Sequence, residues 1–330
     1  MIKKTYLVTG GNGFIGYNIA KLLLKLGHKV IIYDNNIRHK KIHKEKNFLY
    51  INGDIRNHKK LIRISKKVNS IVHCAYINGT RYFYERPDLV TDVAIRGMLN
   101  VIDACKINKI KEIYLISSSE VYHLPKIIPT PENTELVIPD IKNPRFSYGG
   151  GKIASELMLT HLCKNLKKTI IIRPHNVYGE NMGWQHVIPE LIKKIYLIQN
   201  KRKKIINIQG TGKETRAFIY IKDFIAAFEI ILKRGKNKEI YNIGSNQEIK
   251  ISKLTKIIGN IFKIKFKIKK NKLRKGSAKR RCPSINKIKK MGFTSKVKLK
   301  EGLNRTIQHY VKLLKKKTET NNKRIYLAKI

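Results

Sequence analysis

The first half of the chain alternates short apolar runs with longer amphipathic stretches. Runs rich in Ile, Val, Leu and Tyr predict buried strands at 5–9, 29–33, 48–51, 70–73, 112–117 and 169–173. Stretches with apolar residues every three or four positions predict helices at 15–26, 93–105 and 148–166. Strands and helices that alternate in this way indicate an α/β fold, in which helices cover both faces of a doubly wound parallel sheet.

The pattern changes after Pro174. Shorter predicted strands at 205–208, 218–221 and 240–243 are interspersed with predicted helices at 187–199, 221–232 and 251–261. We therefore expect a first domain over 1–175, to which later segments return, and a smaller α+β domain over 176–314. The polar, basic residues 315–330 are expected to form a tail that frays.

Charge is the strongest compositional feature. The 330 residues include 71 Lys and Arg against 22 Asp and Glu, a net charge of +49. A basic surface is the usual electrostatic signature of phosphate binding, so an RNA-binding module is one hypothesis. However, lysine is abundant along the whole chain, which fits a compositional bias better than one designed patch, and few aromatic residues lie among the C-terminal lysines to stack bases. Nucleic-acid binding is therefore not our favoured interpretation.

The cysteine count and the hydropathy exclude several classes of protein. The four cysteines include no C-x-x-C pair, so neither a disulfide framework nor a metal site is expected. The apolar run at the N-terminus stops at Gly10, too early for a secretion signal, and no window approaches 18 apolar residues. We expect a soluble cytoplasmic protein without a membrane partner.

A glycine-rich turn carries the first chemical signal. Gly10, Gly13 and Gly16 directly follow the first predicted strand and open the first helix. Such glycines allow a tight turn and let a pyrophosphate approach the helix N-terminus, which predicts a Rossmann-type dinucleotide site. Asp34, at the end of the second strand, would accept hydrogen bonds from a ribose and repel a 2′-phosphate, so NAD is favoured over NADP. The expected cofactor-binding residues are Gly10, Gly13, Phe14, Ile15, Gly16, Asp34, Asp54 (at the adenine), Ile55, Ala75, Tyr148 and Lys152.

A second signal follows the fifth predicted strand and includes the start of the third predicted helix. Tyr148 and Lys152 are four residues apart, which places a phenol and an ammonium on one helix face. A lysine cation favours the phenolate, so it would lower the tyrosine pKa towards the range in which a base works. Ser118, at the end of the fifth strand, could complete proton transfer from a substrate alcohol.

With these motifs the chain resembles the extended short-chain dehydrogenase/reductases that modify nucleotide sugars, the NAD-dependent epimerase/dehydratases. The resemblance extends to Arg173-Pro174-His175-Asn176-Val177-Tyr178-Gly179 and to the segment 210–223. It implies that Tyr148 is the base, that Lys152 holds the nicotinamide ribose and that Ser118 binds the reacting hydroxyl. It also implies sugar-nucleotide contacts from Asn176, diphosphate contacts from Arg216 and Arg274, and a homodimer formed through helices 93–105 and 148–166.

The resemblance leaves the product of the reaction open. Oxidation at sugar carbon 4 can lead to a 4-epimer, to loss of water from carbon 6, or to loss of carbon dioxide from a uronic acid. Glu120 could be the additional base of a dehydratase, and a Ser-Glu pair also resembles decarboxylases. We favour a 4-epimerase of the UDP-glucose type, with a nucleotide-sugar 4,6-dehydratase and a UDP-glucuronate-type decarboxylase as alternatives.

Overall fold

The computed structural model describes residues 2–37, 48–273 and 275–327. In chain order the strands are β1 (Thr5–Thr9), β2 (Lys29–Asp34), β3 (Phe48–Asn52), β4 (Ser70–His73), β5 (Glu112–Ile116), β6 (Lys168–Pro174), β7 (Val177–Tyr178), β8 (Ile205–Ile208), β9 (Thr215–Ala217), β10 (Ile219–Tyr220), β11 (Glu239–Ile243), β12 (Glu248–Lys250), β13 (Lys267–Lys270) and β14 (Arg280–Arg281). The helices are α1 (Phe14–Lys25), α2 (His58–Ile64), α3 (Thr80–Glu85), α4 (Pro87–Ile107), α5 (Ser147–Leu162), α6 (Val187–Ile198), α7 (Ile221–Arg234), α8 (Ile251–Ile261), α9 (Asn286–Lys290) and α10 (Leu299–Leu327).

A seven-stranded sheet lies at the centre of the fold. Its order is β11-β6-β5-β4-β1-β2-β3, and every neighbouring pair is parallel. The strand order reverses between β1 and β4, so a crevice opens there at the carboxyl ends of the strands, where ligands bind in such sheets. The prediction of a doubly wound, Rossmann-type α/β fold is confirmed.

Alternation along the strands divides the core into two layers. In β1, Tyr6 and Val8 pack on one face of the sheet and Leu7 packs on the other, and all three are buried. Buried side chains of α1 and α7 cover the first face, and those of α4 cover the second, together with Leu159 of α5. Because both faces of β1 are covered, it reads as a continuous apolar run, as expected for a parallel sheet.

The later part of the chain builds smaller units beside this sheet. Strand β11 completes the central sheet, while β12, β9 and β14 form a three-stranded sheet and β8 pairs with β13. Helix α10 continues past Lys315, where the sequence predicts the basic tail to begin. Among the described residues, no helix combines the length and the apolar character that a membrane span requires.

Candidate active site

The turn between β1 and α1 forms a tight cradle. Gly10 has φ +65°, and a Cβ atom there would stand 2.7 Å from the backbone nitrogen of Ala75. A Cβ on Gly16 would stand 2.3 Å from the Gly10 carbonyl oxygen. Only glycine leaves both places open, and the N-terminus of α1 faces the same space, so the geometry fits the pyrophosphate of a dinucleotide.

One cavity of about 290 Å³ connects this cradle with the predicted catalytic residues. Most of the residues that the sequence proposes line it: Gly10, Gly13, Phe14, Ile15, Gly16, Asp34, Ile55, Ala75, Ser118, Glu120, Tyr148, Lys152 and Asn176. The cavity therefore joins a dinucleotide cradle to an acid–base group, the arrangement that hydride transfer requires.

The two predicted adenosine-binding aspartates have different surroundings. The Asp34 carboxylate lines the cavity and accepts hydrogen bonds from the backbone N–H groups of Asn12 (2.9 Å) and Asn36 (2.8 Å). Asp54 does not line the cavity: its carboxylate accepts two side-chain hydrogen bonds from Arg56, both at 2.9 Å, and one from Asn35. The hydrogen bonds from Arg56 lower the pKa of Asp54 to about 2. Asp54 thus holds the loop after β3, and its contact with an adenine stays a prediction.

Helix α5 places Tyr148 and Lys152 at the cavity wall. Both are buried, and the Tyr148 ring stacks on Phe83 of α3 at a centroid distance of 5.0 Å. Lys152 Nζ donates to the Ile116 carbonyl oxygen (2.5 Å) and lies 5.8 Å from the Tyr148 ring centroid. Burial lowers the pKa of Lys152 to about 7. An ammonium close to a phenol favours the phenolate, which is the charge arrangement that a tyrosine base needs.

Ser118 and Glu120 lie where β5 ends. The Ser118 hydroxyl accepts a hydrogen bond from the Glu120 N–H (3.1 Å), which caps the 3₁₀ turn Ser119–Tyr122 and fixes both residues at the cavity. The Glu120 carboxylate accepts from Arg145 (3.2 Å) and from Arg281 (2.6 Å). Burial alone would raise the pKa of Glu120, but the charges of Arg281 and Arg145 outweigh it and hold the pKa well below its usual value.

Arg145 and Arg281 are site residues that sequence reasoning missed. Both line the cavity, and their side chains are only 12% and 10% exposed. Arg145 lies two residues before α5, and its closeness to Tyr148 in the sequence is a signal that could have identified it. Arg281 lies in β14, 161 residues beyond Glu120, and a single arginine within so basic a stretch carries no signal.

The predicted substrate-binding residues are only partly brought together. Asn176 lines the cavity and donates from Nδ2 to the Ala217 carbonyl oxygen (3.1 Å). Arg216 is not among the residues that line the cavity, and its guanidinium donates to the carbonyl oxygens of Thr215 (2.7 Å) and Ala278 (2.8 Å). It nevertheless lies close enough to Glu120 and Arg281 for their charges to affect it. Burial lowers the pKa of Arg216 to about 10. Arg274 lies outside the described residues.

Comparison with known proteins gives one family. Residues 6–244 match the NAD dependent epimerase/dehydratase family. A putative UDP-glucose 4-epimerase of Methanocaldococcus jannaschii is 30% identical over 91% of this chain and 96% of that protein. A dTDP-D-glucose 4,6-dehydratase of Dictyostelium discoideum is 32% identical over 77% of this chain, which spans 61% of that longer protein.

The chain is also similar to a relative with a third activity and to a protein of solved structure. A UDP-N-acetyl-alpha-D-glucosaminuronate decarboxylase of Bacillus cytotoxicus is 29% identical over 94% of this chain and 98% of that protein. The structure of a UDP-N-acetylglucosamine 4-epimerase from Methanobrevibacter ruminantium superposes with a TM-score of 0.84 at 26% identity, over 95% of this chain and all of that one. Relatives at similar distances thus carry three different activities.

Proposed function

This chain belongs to the NAD-dependent epimerase/dehydratase family, and we propose that it oxidises carbon 4 of a nucleotide sugar transiently. The observation that carries the proposal is the single cavity that joins the glycine cradle to Ser118, Tyr148 and Lys152. NAD, when bound, accepts the hydride that leaves carbon 4. We assign its pyrophosphate to the turn containing Gly10, Gly13 and Gly16, and its adenosine ribose to Asp34.

Residues of the chain itself would bind the reacting hydroxyl and remove its proton. We assign to Tyr148 the removal of that proton, because the Lys152 ammonium favours its phenolate. Ser118 would hold the hydroxyl at the end of β5, where its own place is fixed by the Glu120 N–H. Asn176, on the same cavity, is the proposed contact to the sugar nucleotide.

We propose a 4-epimerase as the first candidate. A dehydratase requires a base that removes the carbon 5 proton, and Glu120 is poorly suited to this task. A carboxylate whose pKa is held well below its usual value by Arg145 and Arg281 has little affinity for a proton. Epimerisation needs no further acid or base once carbon 4 is a ketone, so it is compatible with a Glu120 that stays ionised.

A second candidate is the decarboxylation of a nucleotide-linked uronic acid, favoured by the two arginines themselves. Arg145 and Arg281 bring two positive charges to Glu120, and all three side chains line the cavity. Guanidinium groups bind carboxylates through charged hydrogen bonds, so this cluster could accept a sugar carboxylate beside Glu120. Loss of carbon dioxide from the 4-ketone needs no proton abstraction at carbon 5.

The test is incubation of the NAD-loaded protein with neutral and uronic nucleotide sugars carrying UDP, dTDP, GDP or CDP. Mass spectrometry separates loss of water and loss of carbon dioxide from an unchanged mass, and NMR identifies a 4-epimer. A 4-epimer of a neutral hexose would support the first candidate, and a pentose product would support the second. If no nucleotide sugar is oxidised or altered by protein that holds NAD, the proposed function is wrong.

We also propose a homodimer in a reducing, cytoplasmic compartment. Helices α4 and α5 pack together and still expose large apolar side chains, among them Leu99 (39%), Ile107 (56%) and Leu157 (56%). A second subunit would remove this apolar surface from water. The cysteines support this compartment, since Cys105 and Cys163 are free and buried although Cys163 lies close enough to Cys105 to affect its electrostatics.

A further inference from the structure

The ammonium group of Lys152 lies on the face of a second tyrosine. Its Nζ atom is 3.1 Å from the ring centroid of Tyr76, compared with 5.8 Å from that of Tyr148. The Ile116 carbonyl oxygen, 2.5 Å away, is a further contact of the same nitrogen. The ammonium therefore touches the carbonyl of Ile116 and the π face of Tyr76.

The Tyr76 ring is held in place by its surroundings. Its hydroxyl is hydrogen-bonded to the Ser155 hydroxyl on α5, and its ring meets that of Tyr148 edge-on at 6.1 Å and 81°. The backbone at Ala75 is tied to β1 through Thr9. Burial raises the pKa of Tyr76 above its usual value, so the phenol stays neutral and its ring presents a quadrupole to the lysine.

We infer that Tyr76 is a positioning residue for the proposed reaction: its ring face seats the Lys152 ammonium and keeps it charged beside Tyr148. The inference rests on the proposed function for its catalytic consequence and on the contacts above for its geometry. Burial works against the charge of Lys152, and the neighbouring Cys74 and Glu156 favour that charge. The charge of Lys152 also acts on His73, whose ring lies 5.7 Å from that of Tyr76. A cation on an aromatic face is stabilised in addition, more so when it is desolvated. Tyr76 thus opposes the discharge of the lysine on which the Tyr148 phenolate depends.

The main test removes the ring with Tyr76→Leu and measures kcat and KM against pH. Without the ring face, Lys152 should lose its proton at lower pH, and Tyr148 should become a phenolate only at higher pH. We expect the apparent pKa of the acidic limb of the kcat profile to shift to higher pH by about half to one unit, and the apparent pKa of the basic limb to shift to lower pH. Tyr76→Phe keeps the ring, so its pH profile should resemble that of the wild type.

Two sets of variants separate this electrostatic effect from packing. Tyr17→Leu removes another tyrosine ring that faces a lysine, Lys21 at 5.7 Å, on α1 and away from the cavity wall, so it should leave the profile unchanged. Fluorinated phenylalanines at position 76 keep the ring shape but weaken its negative face, and they should shift the profile progressively with fluorine content. If Tyr76→Leu does not fold, the fluorinated series provides the test in its place. An unshifted pH profile in the fluorinated series, or a change confined to KM, would overturn the inference.

A readout without turnover separates this inference from the proposed function. The near-ultraviolet absorbance of phenolate, taken as the difference between each protein and its Tyr148→Phe counterpart, follows the titration of Tyr148 directly. The Tyr148 pKa should rise when fluorine is added at position 76. If no sugar is converted but this shift occurs, the proposed function fails and the role of Tyr76 stands. If sugars are converted but the Tyr148 pKa does not shift, the proposed function stands and the role of Tyr76 fails.

Discussion

Glu120→Gln is the substitution that distinguishes the possible reactions most directly. In the structure its carboxylate accepts hydrogen bonds from Arg281 at 2.6 and 3.1 Å and from Arg145 at 3.2 and 3.3 Å. Glutamine keeps the size of the side chain but removes the negative charge between two guanidinium groups. The site then carries one more net positive charge, and both arginines lose the partner that neutralises them.

The stability cost follows from the burial of the cluster. Breaking a buried ion pair by removing one partner costs about 3–5 kcal/mol. Because the Glu120 side chain is 23% exposed, solvent screens part of the interaction, and we expect about 3 kcal/mol in the free energy of unfolding. The pKa of Glu120 is lowered by folding, so its stabilisation is complete above the unfolded glutamate pKa, about 4.3, and is lost as pH falls through the folded value. Denaturant unfolding of the wild type and of Glu120→Gln would test this at neutral pH and at pH values below the unfolded glutamate pKa. The difference between their free energies of unfolding should shrink as the pH falls.

Glu120→Gln has a separate kinetic outcome for each reaction. A 4-epimerase should retain turnover within about tenfold, since neither oxidation nor hydride return needs a second carboxylate. A dehydratase with Glu120 as base should lose about 10²–10⁴-fold and accumulate bound NADH after oxidation. If the enzyme is a decarboxylase, the variant should bind a uronic substrate at least about fivefold more tightly. The reason is that about 1 kcal/mol of repulsion between the Glu120 carboxylate and the substrate carboxylate is removed.

The matched control is Glu248→Gln, which removes the partner of Arg280, the neighbour of Arg281 in β14, at 2.6 Å; the Arg280 side chain is 54% exposed and that of Glu248 is 19% exposed. It should cost less stability than Glu120→Gln, because water screens the charge of Arg280, and it should leave turnover unaltered. Stopped-flow absorbance of NADH and product analysis would read all three kinetic outcomes. Accumulated NADH in Glu120→Gln but not in the control would refute the argument that the arginines prevent Glu120 from acting as a base.

Three further predictions address the oxidation step, the cofactor and the assembly. Tyr148→Phe should lower carbon 4 oxidation by at least about 10²-fold while NAD stays bound, and near-normal turnover would contradict the assignment of the base. Asp34→Ala should narrow the preference for NAD over NADP in equilibrium binding, and equal affinities in the wild type would exclude a selective role for this carboxylate. Leu157→Glu should convert a dimer to a monomer in light scattering at micromolar concentration, and a monomeric wild type would contradict the dimer.

The sequence predicts the central sheet well, because strands such as β1, β4, β5 and β6 are buried on both faces, whereas the edge strand β3 is only partly buried. Strands β1 and β4 occupy the predicted residues, and β11 begins only one residue before its predicted start. Helix ends are less accurate: α4 begins at Pro87, six residues before the predicted start, where proline is favoured in the first turn. Helices α2 and α3 were not predicted, since six or seven residues are too few to show a helical period.

The parts of the site that the sequence predicts are encoded locally. The glycine turn and the Tyr148–Lys152 spacing each lie within a few residues, so their geometry follows from one turn or one helix face. The signal at Asp54 is also local, but the sequence does not show that Arg56, two residues away, binds its carboxylate, and the adenine contact of Asp54 stays a prediction. Tyr76 and Arg281 depend on packing between distant segments, and a single sequence contains no record of that packing.

The structure divides the chemistry of this enzyme between two parts of the chain. The residues assigned to cofactor binding and oxidation, from Gly10 to Lys152, belong to the parallel sheet, its helices and the loops that join them. Arg281 instead reaches Glu120 from β14, whose place is set by parallel pairing with β9 and by a bridge between Thr130 and Pro283. We therefore propose that oxidation at carbon 4 is the step carried out by the sheet residues, and that the fate of the 4-ketone depends on what the C-terminal segment places beside Glu120. In this chain that segment contributes Arg281, whose charge together with that of Arg145 holds the pKa of Glu120 below its usual value, and we propose that this disfavours dehydration of the ketone.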